Sequence, residues 1–178
     1  PENAPAARID KTLLEILIGD TIERIDRKYI PIAMEWIADH FEIIDYDDRI
    51  VGMDDLLVTF QSVVKRRGVH GFVVDPLNDL NHNFKGVSID QYYQSMLSNI
   101  RRFKKKNNVK FILTAHPHTH ATREKEDHTE QGSRPRVIEL PDITGGNIFH
   151  NRADNGISLY RNVASEDMSV KLTSEVHV

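Results

Sequence analysis

Apolar positions recur with a helical period in the N-terminal third, then gather into short continuous runs separated by polar stretches. Ile9, Leu13, Ile16 and Leu17 predict a first helix that ends at Gly19. Pro31 suits the first turn of a second helix carrying Ala33, Met34, Trp36 and Ile37. The isoleucine-rich segment FEIID (41–45) predicts a strand. Asp54 or Asp55 is placed to cap a third helix bearing Leu57, Phe60, Val63 and Val64, which stops at Gly68. VHGFVVD (69–75) reads as the next strand. Ser88 and Gln91 then form a capping-box pair. They open the clearest helix, whose apolar face is Ile89, Tyr92, Tyr93, Met96, Leu97, Ile100 and Phe103. VKFILTA (109–115) is a third strand. Residues 117–136 are polar and charged, a long loop expected to be mobile. ISLYR (157–161) and SVKLTSEVHV (169–178) are two further strand-like segments.

Alternating strands and helices, with apolar strands bounded by polar loops, predict an α/β fold with a mainly parallel sheet and helices on both faces. At 178 residues the chain fits one domain, 1–178, large enough to bury a core. Hydrophobic content of 39% and charged content of 28% are those of a soluble globular protein. The formal charge of −4 opposes bulk attraction to nucleic acid, while a local basic patch remains compatible with it. No cysteine is present, so disulfides, thiolate metal sites and a cysteine nucleophile are excluded. No run of 18 apolar residues and no signal-like N-terminus is found. The expectation is therefore a cytoplasmic protein with no membrane partner. The opening PENAPAARID, without methionine, suggests a piece of a longer chain.

Chemistry is expected where strands end, because parallel sheets gather ligands at their carboxyl edges. Asp75 closes the apolar run Phe72–Val73–Val74 and is followed by Pro76, Asn78 and Asp79. His116 closes FILTA in the same manner. Nucleotide hydrolysis needs such groups at adjacent strand ends: a carboxylate for Mg²⁺ and a polar group near the γ-phosphate. Strand-end punctuation by two polar residues is the alternative. His116, His118 and His120 alternate in an extended run that invites a metal, although Pro117 and the lack of an acidic partner favour a solvated loop. RRFKKKNN (101–108) packs five cations into six residues. A solvated helix end favoured by the helix dipole is the main reading, and a nucleic-acid surface the alternative. Arg123, Lys125, Arg134 and Arg136 lie in the loop among several acids.

Taken in order, these segments resemble the RecA-like helicase domain of the DnaB/Twinkle superfamily of ring-shaped replicative helicases, closest in look to the primase-helicases of phages and mobile elements. HGFVVDPLNDL resembles a Walker B strand, and FILTAHPHT the motif that follows it. The most specific stretch is DITGGNIFHNRADNGISLYR, similar to the family's Asp-x-x-Gly-rich helix, Ala-Asp-Asn turn and strand. The resemblance implies a RecA-like sheet with antiparallel strands at its C-terminal end, and ATP and Mg²⁺ as cofactors. It implies Asp75 as the Mg²⁺-associated carboxylate, His116 as γ-phosphate sensor, Asn151 as polar sensor and Glu2, in PEN, as the residue polarising the attacking water. It also implies single-stranded or forked DNA as partner, contacted by Lys85, Arg123 and Lys125. A homo-oligomeric ring, a hexamer, in a bacterial or phage-infected cell completes the expectation.

Three departures stand out. No G-x-x-x-x-G-K-[ST] segment occurs in the chain. The chain stops at EVHV, before the basic residues that would reach a neighbouring subunit. Asn151 is shorter than the glutamine usual there. The first two read as truncation. A recombinase- or clock-type ATPase without unwinding, or a non-catalytic RecA-fold interaction fragment, are the competing readings.

Overall fold

The computed structural model describes residues 6–46, 50–118, 125–126, 134–163 and 165–178. The chain divides into two compact units, Pro1–Val51 and Gly52–Val178. Helix and strand are mixed, an arrangement compatible with an α/β protein.

The first unit is a helical hairpin of α1 (Ala6–Ile18) and α2 (Ile30–His40). Its core is Leu14, Ile25, Ala33 and Ile37, with Leu13, Ile18, Ile22, Ile30 and Met34 packed around them. The apolar face of α1 is thus rotated from the one expected. Ile16 is 72% exposed and Leu17 is exposed, because Leu14 and its neighbours face α2. Between the helices, Asp26 caps a 3-10 turn (Arg27–Tyr29) by accepting from Lys28 N at 3.1 Å. Glu15 accepts from Ile22 N at 3.0 Å and ties the turn to α1. Residues 41–45, expected as a strand, form none. Isoleucine-rich composition favours extended backbone, but a strand needs a partner ladder, and none is made by these residues.

In the second unit, α3 (Met53–Arg67) leads into β1 (Gly71–Val74), and α4 (Ile89–Asn107) leads into β2 (Lys110–Leu113). β1 and β2 pair in parallel, Gly71 opposite Lys110 through Val74 opposite Leu113. This is the expected crossover connection, with α4 returning the chain to the start of the next strand. α4 begins as expected: Ser88 Oγ accepts from Gln91 N at 3.2 Å, while Gln91 Oε1 accepts from Ser88 N at 3.1 Å. It ends on Asn108 in the left-handed region (φ 54°). The start of α3 differs from expectation. Gly52 is the N-cap, and Asp55 sits three residues on, accepting from Gly52 N at 3.1 Å.

Phe72 is the centre of the core. It stacks on Phe60 of α3 (ring centroids 4.1 Å apart) and meets Phe103 of α4 edge-on at 5.8 Å. Met53, Leu56 and Val63 of α3, with Tyr93, Met96 and Ile100 of α4, complete it. Helices of this unit pack on one face of the strand pair. The other face carries Val73, 62% exposed, and Ile112, 56% exposed, so among the described residues of this unit the pair is not covered on both sides.

Short β3 (Lys125–Glu126) and β4 (Arg134–Pro135) pair antiparallel. The remainder of the long loop expected to be mobile lies largely outside the described residues. A 3-10 turn (Leu140–Asp142) precedes α5 (Gly146–Arg152), which packs on α4 through Phe149 and Tyr93. Beyond it, β5 (Ser158–Tyr160) pairs antiparallel with β6 (Glu175–His177). The strand expected over 169–178 is shorter than foreseen: Asp167 caps a helix, α6 (Met168–Leu172), by accepting from Ser169 N at 2.8 Å. Among the described residues, no helix is long and apolar enough to cross a membrane.

Candidate functional site

Parallel pairing brings the ends of β1 and β2 side by side. Val74 is opposite Leu113, so the next residues, Asp75 and Thr114, emerge together. Thr114 Oγ1 donates to Asp75 Oδ1, and Thr114 N donates to Val74 O at 3.0 Å. The loop beyond β1 folds back on the same edge: Leu77 N donates to Thr114 O at 2.8 Å. His116 N donates to Asn78 Oδ1, also at 2.8 Å. Asp75 and His116, picked out separately in the sequence, therefore sit on one strand edge, tied by Thr114 and Asn78. Both are exposed.

Thr114 and Asn78 were missed at the level of sequence. Register would have revealed Thr114, which is opposite Asp75 once the two strands are aligned. A carboxylate and a hydroxyl at one strand end are hard oxygen donors, suited to a Mg²⁺ ion that keeps most of its waters. Among the described residues, no three His, Asp or Glu side chains cluster to hold a metal by themselves. Of the alternating histidines, His120 lies outside the described residues.

A second set of contacts runs from β2 to α5. Pro117 forms an antiparallel bridge with Ile143, and His118 N donates to Asp142 O at 2.8 Å. Asp142 accepts from Arg136 Nη2 at 2.7 Å and from Glu139 N at 2.7 Å. The bond from the Arg136 guanidinium, foremost, holds the Asp142 carboxyl below its ordinary pKa. The two glycines after it serve close packing. Gly145 is left-handed (φ 75°), and a Cβ there would come within 2.5 Å of the Tyr93 ring. A Cβ on Gly146 would come within 2.3 Å of the Leu140 carbonyl oxygen. The Asp-x-x-Gly-Gly segment is thus a structural clamp that seats α5. Asn151 is exposed near the end of α5, whose Arg152 donates to Ser98 of α4 at 3.0 Å. Asn151 therefore belongs to α5 and not to β1 or β2.

Of the remaining expected residues, Glu2 and Arg123 lie outside the described residues. Lys125 belongs to β3. Lys85 is exposed on the loop between Asp75 and α4, beside an open depression of about 470 Å³ lined by Asn81, His82, Asn83, Phe84 and Lys85. His82 organises this loop. Its Nε2 lies 3.1 Å from Leu77 O and its Nδ1 3.2 Å from the Tyr92 hydroxyl. A carbonyl only accepts, so Nε2 carries the proton and Nδ1 receives the tyrosine's. Phe84, Tyr92 and Tyr93 surround the ring.

Burial lowers the His82 pKa, and the bond to Leu77 offsets this only in part. The unfolded chain therefore takes up a proton, near pH 6.5, that folded His82 resists. Stability is unaffected above that pH and falls as pH drops through it towards the depressed folded value. Denaturant midpoints at pH 7.5 and 5.5 are expected to show this loss, and His82→Asn to diminish it. An equal acid loss in the variant would exclude His82 as a source.

No family model matches the chain. It is 29% identical over 156 residues to the Twinkle homolog protein, chloroplastic/mitochondrial, of Arabidopsis thaliana. That similarity covers 86% of this chain and 21% of the other, so the chain spans about a fifth of the curated relative's length. The similarity supports the superfamily to which the motifs point.

Proposed function

We propose that this chain is the ATPase core of a replicative DNA helicase of the DnaB/Twinkle type. The observation that carries the reading is the meeting of Asp75 and His116 on one edge of a parallel strand pair. It is supported by similarity to a Twinkle homolog protein along most of the chain. In this reading Asp75, oriented by the Thr114 hydroxyl, would hold Mg²⁺. The ion would neutralise charge developing on the phosphates. His116, its backbone held by Asn78, is the γ-phosphate sensor in this reading. Asn151 of α5 is the second polar sensor, and Glu2 orients the attacking water. Lys85, Arg123 and Lys125 face single-stranded or forked DNA in a ring of identical subunits, taken to be a hexamer.

The lack of a G-x-x-x-x-G-K-[ST] segment in the chain favours a second reading, a RecA-fold fragment that binds without turnover. Phosphoryl transfer depends on positioning, which such a loop supplies through backbone N–H groups and a lysine. The 178-residue chain by itself is accordingly expected to release phosphate from ATP at a negligible rate. The protein that carries this segment together with a phosphate-binding loop is expected to show DNA-stimulated release and strand displacement on a forked duplex. Stimulated release without displacement would assign a recombinase- or clock-type ATPase. No release at all from the longer protein would leave the interaction fragment as the correct reading.

A further inference from the structure

The basic run on α4 acquires a partner only in the folded chain. α3 and α4 lie side by side and run in the same sense: Asn99 Nδ2 donates to Asp54 Oδ1 at 3.1 Å, and Gln61 Nε2 to Asn107 Oδ1 at 3.0 Å. Each helix leads into a strand of the same parallel pair, so both finish at the edge where those strands begin. That edge is opposite the one carrying Asp75 and His116. The last turn of α3 brings Lys65, Arg66 and Arg67 there. α4 adds five cations within residues 101–106, and β2 opens on Lys110. Nine of the chain's 23 lysines and arginines thus converge on one end, and all but Lys104 are exposed.

Along the chain, these segments are free of acidic residues. Residues 56–74 and 91–123 contain no Asp or Glu, although the whole chain carries 27. Asp154, beyond α5, binds Lys104 at 2.6 Å. Lys104, then Arg101 and Lys110, hold its carboxyl below the ordinary pKa, so Asp154 lies in the field of these cations. A helix end needs only a cation or two to complement its dipole. Here like charges also stand four apart, Arg101 with Lys105 and Arg102 with Lys106, an arrangement that destabilises a helix. Solvation of a helix end does not account for that repulsion; a polyanion would relieve it. Between the helices lies a groove of about 450 Å³ lined by Leu57, Val58, Gln61, Ser62 and Lys65 of α3 and by Phe103 of α4, with Lys65 as its cation. Helical spacing puts Arg102 and Lys106 on its α4 flank, beside Asn99, to which Arg102 donates at 2.5 Å.

We propose that this end of the second unit, centred on the α3–α4 groove, is a binding surface for a nucleic-acid phosphate backbone. It is separate from the loop that carries Lys85 and independent of whether the chain hydrolyses ATP. Cations gathered at the ends of two adjacent helices suit a line of phosphates better than an isolated carboxylate. Among the described residues, no exposed aromatic ring lines the groove to stack a base, so binding is to backbone and independent of sequence.

The test is fluorescence anisotropy of a labelled single-stranded oligonucleotide with the 178-residue chain, titrated between about 50 and 200 mM salt. One variant neutralises the groove (Lys65→Gln, Arg102→Gln, Lys106→Gln). A charge-matched control neutralises Arg8, Arg24 and Arg27 of the first unit. Circular dichroism verifies the fold of both, and the single variants Lys65→Gln and Lys106→Gln stand in should the triple variant fail to fold. The groove variant is expected to bind at least tenfold more weakly at the lowest salt. Its slope of log affinity against log salt should be shallower by about 2, at roughly 0.7 per lost phosphate contact. The control should stay within twofold of the parent. Equal losses in the two variants, or no loss in the groove variant, would overturn the proposal. So would polyglutamate binding more tightly than DNA at the same salt, which would assign the surface to an acidic peptide.

Discussion

Asp75→Asn is expected to reduce ATP turnover by roughly 10²–10³-fold in the protein that carries this segment with a phosphate-binding loop. That is the range for removing one preorganised electrostatic group. The substitution keeps the shape of the side chain and its place beside the Thr114 hydroxyl while removing the charge. Fold and DNA affinity should therefore persist. The Mg²⁺ concentration needed for half-maximal rate should rise, since a neutral amide oxygen is a weaker ligand for a hard cation. Thr114→Val should act in the same direction more mildly, about tenfold, because it removes one hydrogen bond to a charged group. Phosphate release across a Mg²⁺ titration measures both. Unchanged turnover in Asp75→Asn would show that the carboxylate is no more than strand-end punctuation.

The other large effect concerns the core. Phe72→Ala removes a ring held between Phe60 and Phe103 and beside Phe111, at 4.1, 5.8 and 6.1 Å between centroids. Loss of such a ring costs about 3–5 kcal/mol, which for a chain of this size lowers the melting temperature by roughly 6–20 °C. Val73→Ala, one residue along the same strand, is the contrast. Its side chain lies on the exposed face, so it should change stability by about 0.5 kcal/mol or less. Thermal melts of the two variants decide it, and similar losses would mean that the exposed face is covered in solution.

What could be read in the sequence depended on whether the signal was local. α4 announced itself through the Ser88–Gln91 cap and its apolar stripe, both properties of neighbouring residues. β1 and β2 were equally plain as apolar runs ending on polar residues. Residues 41–45 misled because strand composition says nothing about a partner. α1 was placed correctly but rotated, since Ile9, Leu13, Ile16 and Leu17 fit a helical face as well as the one centred on Leu14. Only packing against α2 chooses between them. In the site, Asp75 and His116 were visible because charge at the end of an apolar run is conspicuous. Thr114 and Asn78 were not, because their role is to hold those two and follows from register and loop geometry. The convergence of two basic helix ends was hidden for the same reason: 33 residues separate Arg67 from Arg101 in the chain, and only parallel pairing brings them to one edge.

α4 starts from the loop beyond Asp75 and ends among the cations. Its 19 residues at 1.5 Å each make a rod of about 28 Å. At physiological ionic strength, mobile ions cancel an exposed charge within about 8 Å. The two ends of the rod are therefore electrically out of earshot of one another. Four-residue β1 and β2 also join the two edges, so occupancy at one edge shifts affinity at the other through these shared elements more than by attraction through solvent. Substitutions at opposite ends should accordingly combine additively, and any departure from additivity measures mechanical coupling through α4 and the strand pair.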